Sequence, residues 1–171
     1  MSKTIDKPRY YGLGKMTYEF CRALCNNSNI VTVIDNNTID PECPEELMYK
    51  SIFPFKRVVD TVEESGTYIA VRANAPEYKR HNQYLLKAEL WVWIVVEQRN
   101  MSMGEYGLDM TKTDYLASQV EEVVESLKAD KKATWIGDFV KSRDTEDAVD
   151  YNHMCRILKF ECSEVNIGEF K

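Results

Sequence analysis

The sequence predicts a single α+β domain with a mostly antiparallel sheet. Three observations lead there. The run Tyr84 to Val96, Y-L-L-K-A-E-L-W-V-W-I-V-V, alternates with a period of two and is rich in β-branched and aromatic residues, the pattern of a strand. Leu116, Val120, Val123, Val124 and Leu127 recur instead at helical spacing. The elements read in the order α, β, β, β, β, α, β, β, with no alternating βαβ units. A chain of 171 residues with 44% apolar and 29% charged residues fits one domain with a proper core.

Residues 1–13 are polar, basic and aromatic and read as a flexible N-terminal arm, leaving 14–171 as the folded domain. Met16, Phe20, Ala23 and Leu24 predict a first helix from Lys15 to Asn26, stopped by the Asn-rich run that follows. Ile30 to Ile34 is β-branched and predicts a short strand or extended link. Met48 to Val59 predicts an interrupted edge strand, because Pro54 cannot donate to a ladder. Thr67 to Arg72 predicts a strand, joined to the long one by a loop from Ala73 to Asn82.

Within the long strand, Leu86, Ala88, Leu90, Val92, Ile94 and Val96 make an apolar face for the core. Leu85, Lys87, Glu89, Trp91, Trp93 and Val95 make the other face, charged at one end and aromatic at the other. Gln98 to Tyr106 reads as polar and flexible. Thr111-x-x-Asp114 resembles a capping box that opens the central helix. Ser118, Gln119, Glu121, Glu122 and Glu125 fall on its water-facing side, and Lys128, Lys131 and Lys132 suit the dipole at its end. Trp135 to Val140 predicts a short strand, Lys141 to Asp150 an exposed charged turn, and His153 to Cys162 a last strand. That strand carries Met154, Leu158, Phe160 and Cys162 on one face and Cys155 and Ile157 on the other.

A net charge of −6 argues against a general nucleic-acid binder. The short basic clusters Lys3/Lys7/Arg9, Lys79/Arg80/His81 and Lys128/Lys131/Lys132 suit solvated turns and helix ends. No apolar run is long enough for a membrane helix, and the N-terminus has no signal-peptide core, so the protein is expected to stay where it is made. Five cysteines, an odd number, read as reduced thiols rather than a disulfide framework.

The residues yield no catalytic, cofactor or metal site. Gly12-Leu13-Gly14-Lys15-Met16-Thr17 fails as a phosphate loop: Arg9 stands where the first glycine belongs, Met16 follows the lysine, and no buried strand precedes it. It reads as a hinge before the first helix. Cys21 and Cys25 share a helix face but lack further ligands at a recognised spacing. His81 and His153 sit in no nucleophile motif. Glu63-Glu64 and Glu121-Glu122 read as structural, so the chain is not expected to be an enzyme.

The order of residues carries a resemblance. K-S-I-F-P-F-K-R-V-V-D-T-V-E-E-S-G-T-Y-I (Lys50 to Ile69), Gly107-Leu108-Asp109 with T-D-Y-L-A-S-Q-V (Thr113 to Val120), W-I-G-D-F-V-K-S-R (Trp135 to Arg143) and Y-N-H-M-C-R-I-L-K-F (Tyr151 to Phe160) resemble elements of the tail terminator proteins of long-tailed bacteriophages. These are also called tail completion or head-tail joining proteins. The similarity runs from about Lys50 to Asn166. The arginine that usually precedes the Asp-x-Leu-Ala element is replaced by Lys112 or lacks a counterpart.

The resemblance implies a small α+β subunit that assembles as a homo-oligomeric ring, commonly a hexamer, at the head-tail junction of the virion. Such a ring caps the tail tube protein and docks to a neck or head-closure protein, with DNA passing through its lumen. It implies no catalysis, cofactor or membrane. On this reading Trp91, Trp93, Val95, Cys155 and Ile157 are candidates for the subunit interface, since interface cores are aromatic and poor in charge. Tyr10, Tyr11, Arg99, Met101, Met103 and Tyr106 are candidates for docking partner rings. Cover of the tryptophan face by the first helix of the same subunit is the competing expectation. The rival functions are a head-closure or neck adaptor ring and a cytoplasmic small-molecule binding domain or enzyme.

Overall fold

The computed structural model describes residues 11–34, 40, 42–56, 66–78, 85–130 and 138–166. Among them are three α-helices and a five-stranded sheet. The helices are α1 (Tyr11–Cys25), α2 (Ser28–Ile34) and α3 (Lys112–Ala129). The strands are β1 (Ile52–Phe53), β2 (Thr67–Tyr78), β3 (Leu85–Glu97), β4 (Val140–Ala148) and β5 (His153–Asn166). Their spatial order is β1-β2-β3-β5-β4, and every pairing is antiparallel except β1 with β2. The fold is the expected single α+β domain.

The long strand sits at the centre, paired with β2 on one side and β5 on the other. Ala88, Leu90, Val92, Ile94 and Val96 are all at most 1% exposed. They meet Ile69, Val71 and Ala73 of β2, Leu158, Phe160 and Cys162 of β5, Met16, Phe20 and Leu24 of α1, and Leu116, Val120 and Val124 of α3 in one core. All three helices contribute to that core, so the helical layer lies on this face of the sheet.

Several local expectations are corrected. Tyr11, Gly12 and Leu13 belong to α1, with Gly12 and Leu13 buried, so the proposed hinge is helix and the arm does not extend to residue 13. Ile30 to Ile34 is helical, not extended. The Asn27 carboxamide oxygen accepts from the amides of Asn29 and Ile30, both at 3.0 Å, and so caps α2. Ile30, Val33 and Ile34 then fall on one buried stripe, and packing outweighs the β preference of the branched side chains. Gln98 to Tyr106 is not loose. It makes two 3₁₀ turns, Gln98–Asn100 and Gly104–Tyr106, and the Lys112 amide donates to the Met101 carbonyl at 2.7 Å.

Residues 141–148 form an edge strand where an exposed turn was expected. β2 likewise continues to Tyr78 through a bulge between Asn74 and Glu77 that accommodates Pro76. Gln119 is buried rather than water-facing, accepting from Asn29 Nδ2 at 2.9 Å and donating to Glu122 at 3.0 Å. The edge strand before Pro54 is present but only two residues long, and it runs parallel to β2. Trp135 to Gly137 lie outside the described residues.

Gly66 marks a close approach at the start of β2. Its carbonyl accepts from the Glu97 amide at 2.6 Å. A Cβ there would lie 2.3 Å from Asn100 Nδ2, 2.8 Å from Glu97 Oε2 and 3.2 Å from Glu97 Cβ. Gly66→Ala is expected to lower unfolding free energy by about 1–2 kcal/mol, because neighbours tied by their own hydrogen bonds must move. Urea unfolding measures it, and adding Asn100→Ala should recover part of the loss.

Candidate functional site

The face of the sheet away from the helices carries an aromatic band. In β3, Trp91 and Trp93 lie two apart and so project to the same side. Their rings stack with centroids 5.9 Å apart and an interplanar angle of 15°. The register places Trp91 opposite Lys159 of β5 and Trp93 opposite Ile157. Lys159 Nζ stands 5.1 Å from the Trp91 ring centroid and Lys56 Nζ 5.6 Å from that of Trp93, both cation–π geometry.

The polar rim is closed around Trp91. Its indole N–H donates to Glu89 at 3.0 Å, and Lys159 bridges Glu89 at 2.8 Å and Glu161 at 2.5 Å. Partial burial alone would raise the Glu89 pKa, but the Lys159 and Trp91 donors outweigh it and hold the carboxyl below its usual range.

Beside the tryptophans lies a second apolar cluster of Phe53, Tyr68, Ala70, Val95 and Cys155, with Trp93 and Ile157 packed against it. Phe53 meets Tyr68 edge-on at 6.0 Å and Phe55 at 5.7 Å, and Phe55 meets Tyr49 at 6.4 Å. The band therefore ends in two exposed rings, Tyr49 at 56% and Phe55 at 42%. Sequence reasoning missed both. The available signal was the aromatic pair flanking Pro54, which stops β1 and turns Phe55 outward.

Five candidates for the interface thus lie on one face, but unequally. Val95 and Cys155 are 3% and 4% exposed within the single chain, so neighbouring side chains already cover them and a partner has little of either to reach. Trp91, Trp93 and Ile157 remain half-buried. The idea that α1 covers the tryptophans is overturned. Met16, Phe20 and Leu24 of α1 pack against the opposite face, and no described helical residue belongs to the cluster beneath Trp93.

The docking candidates scatter. Met103, at 1% exposure, is a core residue, and Met101 packs against the core, so neither is free to dock. Tyr11 and Tyr106 are each 38% exposed, and the Tyr106 hydroxyl donates to the Thr32 carbonyl at 3.4 Å. Arg99 is exposed and pairs with Glu97 at 2.8 Å. Tyr10 lies outside the described residues, as do His81 and Glu63-Glu64.

On the helical side, Arg156 of β5 gathers two aspartates. Its guanidinium forks onto Asp144 of β4 at 2.8 and 3.0 Å and also pairs with Asp114 in the first turn of α3. Thr111 caps that turn, accepting from the Asp114 amide at 3.1 Å and donating to the Asp114 carboxylate at 2.6 Å. Thr113 donates to Glu146 of β4 at 2.9 Å, and Lys141 bridges Asp144 and Glu121. Asp114 and Arg156 come from separate stretches of the resemblance noted above, and here they bind each other.

The thiols of α1 are buried. Burial pushes Cys25 up to about 11 and Cys21 further, and it pushes Cys155 up to about 12. Such thiols are protonated and unreactive near neutrality. Among the described residues no group of three or more His, Cys, Asp or Glu could hold a metal ion, and no helix is long and apolar enough to cross a membrane. A shallow cleft of about 450 Å³ between α1 and the β2 bulge is lined by Leu13, Thr17, Pro54, Arg72 and Asn74 among others. Within it the Thr17 hydroxyl is already engaged, donating to Leu13 and accepting from the Ala73 amide.

Compared with known proteins, the chain matches a family model described as YomW over residues 3–162. No curated protein matches it.

Proposed function

The chain belongs to the YomW family, whose name is phage-derived, and from that premise we propose that it is a structural virion protein of the head-tail junction. In this reading it is a tail terminator: a non-enzymatic subunit that forms a ring, hexameric in the related group, on the end of the tail tube. The ring docks to a neck or head-closure protein and lets DNA pass.

The observation that carries the reading is the aromatic face. Trp91, Trp93 and Ile157 stand half-covered on the inner strands β3 and β5, flanked by Lys56 and Lys159, while every described helix packs on the other side. A stacked tryptophan pair with cations at its rim has the composition of an interface core, rich in aromatics and bordered by charge. The motif residues fit a structural role too. Gly66, Asp114 and Arg156 each serve the join between elements: the β2–β3 start, the α3 cap, and the α3–β5–β4 link.

The test is assembly with the tube. Purified protein mixed with tail tubes should form rings that cap tube ends and halt elongation, seen by negative-stain microscopy and light scattering. A protein that stays monomeric in the presence of tubes and leaves their growth unchanged would overturn the reading. Rings that bind a portal-side adaptor and ignore the tube would point to a head-closure component.

A further inference from the structure

β4 is an edge strand whose nine residues, V-K-S-R-D-T-E-D-A, are all exposed. We propose that β4 pairs antiparallel with β4 of a second copy, about a two-fold axis through Thr145. Backbone direction decides which residues of β4 can bond outward. The Val149 amide donates to the His153 carbonyl at 2.9 Å, so that residue points towards β5. By alternation Asp147 and Thr145 point the same way, opposite Cys155 and Ile157, while Asp144 and Glu146 present their amides and carbonyls to the open edge. A partner must therefore bond to Asp144 and Glu146. One self-pairing that does so sets Asp144 of each copy against Glu146 of the other, which places Thr145 opposite Thr145.

That register is the one the charges select. Arg143 and Asp147 lie on the aromatic face of the sheet, equally far from Thr145 on either side. Within the chain Arg143 reaches only the Thr145 hydroxyl, at 3.3 Å, and Asp147 only the neighbouring Ala148 amide, at 2.9 Å. Neither has an ion-pair partner among the described residues. The two-fold pairing sets each Arg143 across from the other copy's Asp147, twice over, and opposite charges directly across a ladder are favourable.

The like pairs Asp144–Glu146 fall on the helical face. There Asp144 is already matched by Arg156 of β5 and by Lys141, and Glu146 accepts from Thr113 of α3, so both carboxylates already have partners within the chain. Charged edge strands usually deter pairing; here the charges are arranged so that another β4 complements them. Four backbone hydrogen bonds and two ion pairs make a small contact, so the dimer is weak and concentration-dependent.

This pairing is independent of the ring. It closes on itself as a dimer and needs no tube, so its failure leaves the proposed assembly untouched, and the reverse holds. The test is sedimentation of the chain alone over a concentration series. A monomer–dimer equilibrium is expected. Arg143→Asp should weaken it by roughly tenfold or more, as should Asp147→Arg. Mixing the two variants should restore dimers, since each then offers what the other lacks. Thr145→Cys, in a Cys43→Ser background, should form a disulfide-linked dimer under mild oxidation, because non-hydrogen-bonded antiparallel pairs bring their side chains close. Arg143, Thr145 and Asp147 are exposed, and circular dichroism checks that the variants fold. A monomer at every concentration, or a dimer unaffected by either charge reversal, would overturn the proposal.

Discussion

Trp93→Glu should leave a folded monomer that no longer assembles on tail tubes. The side chain is half-buried on the uncovered face, stacked on Trp91 and packed against a small cluster that is separate from the main core. Glutamate keeps the strand's alternation and removes the stack. It also places a carboxylate where a neighbour would bury an indole. Tryptophans at the centre of interfaces commonly contribute 2 kcal/mol or more each, and a ring repeats the loss at every contact, so assembly should fail outright. The cost to folding should stay near 1–2 kcal/mol, because the core beneath α1 and α3 is on the other side. Trp91→Glu tests the same face with less effect on the cluster, as Trp91 leans on Lys159 and Glu89 instead. If both variants assemble normally, the tryptophan face is not the contact. If both fail to fold, the face is held within the subunit.

The tryptophan face also shows what could be read without a structure. Its existence was legible, since period-two alternation fixes which residues share a side. Its cover was not: whether α1 lay on one side or the other depends on the connection from Cys25 through to β2. That route passes through a helix the β-branched run Ile30–Ile34 disguised as a strand. The disguise failed because a single cap, Asn27, and the spacing of three buried residues outweigh local propensity. β4 was misread for the opposite reason. Every one of its residues is exposed, so it lacks the apolar alternation that announces a strand, and only its pairing with β5 makes it one. Met103 and Val95 were expected at contacts and lie inside for different reasons: the Gln98–Tyr106 segment folds back against α3's start, where Lys112 donates to Met101, and Phe53, Tyr68, Ala70 and Cys155 close around Val95. Thr111 and Asp114 were recognised as a cap; that Asp114 would also meet Arg156, 42 residues away, was not visible in any local pattern.

That distant pair carries the other large effect. Arg156→Met should destabilise the fold by about 2–3 kcal/mol at neutral pH, measured by urea unfolding. The guanidinium makes a two-bonded contact to Asp144 and a third to Asp114, and ion-assisted bonds of this kind are stronger than neutral ones. Methionine keeps the stem that lies against the sheet, so the loss reports the charge rather than the packing. Arg156 and Asp144 keep 23% and 25% of their side-chain exposure and Asp114 keeps 41%, which holds the cost below that of a fully buried pair.

The same contact sets a pH dependence. Arg156, against a modest opposing effect of burial and with help from Lys141, holds the Asp144 carboxyl below the usual range. A carboxyl whose folded pKa is depressed contributes stability that is fully present above its unfolded pKa of about 4 and is lost as pH falls through the lower folded value. Stability of the natural chain should therefore drop as the solution is acidified below about pH 4. In Arg156→Met that acid limb should be shallower, because Asp144 then titrates nearer its ordinary value with only Lys141 left to hold it. Glu89, Asp150 and Glu161 are also held low by their own donors, so some slope will persist in the variant. A variant with an unchanged slope and unchanged stability would mean that β4 is tied to α3 through Lys141–Glu121 and Thr113–Glu146 alone.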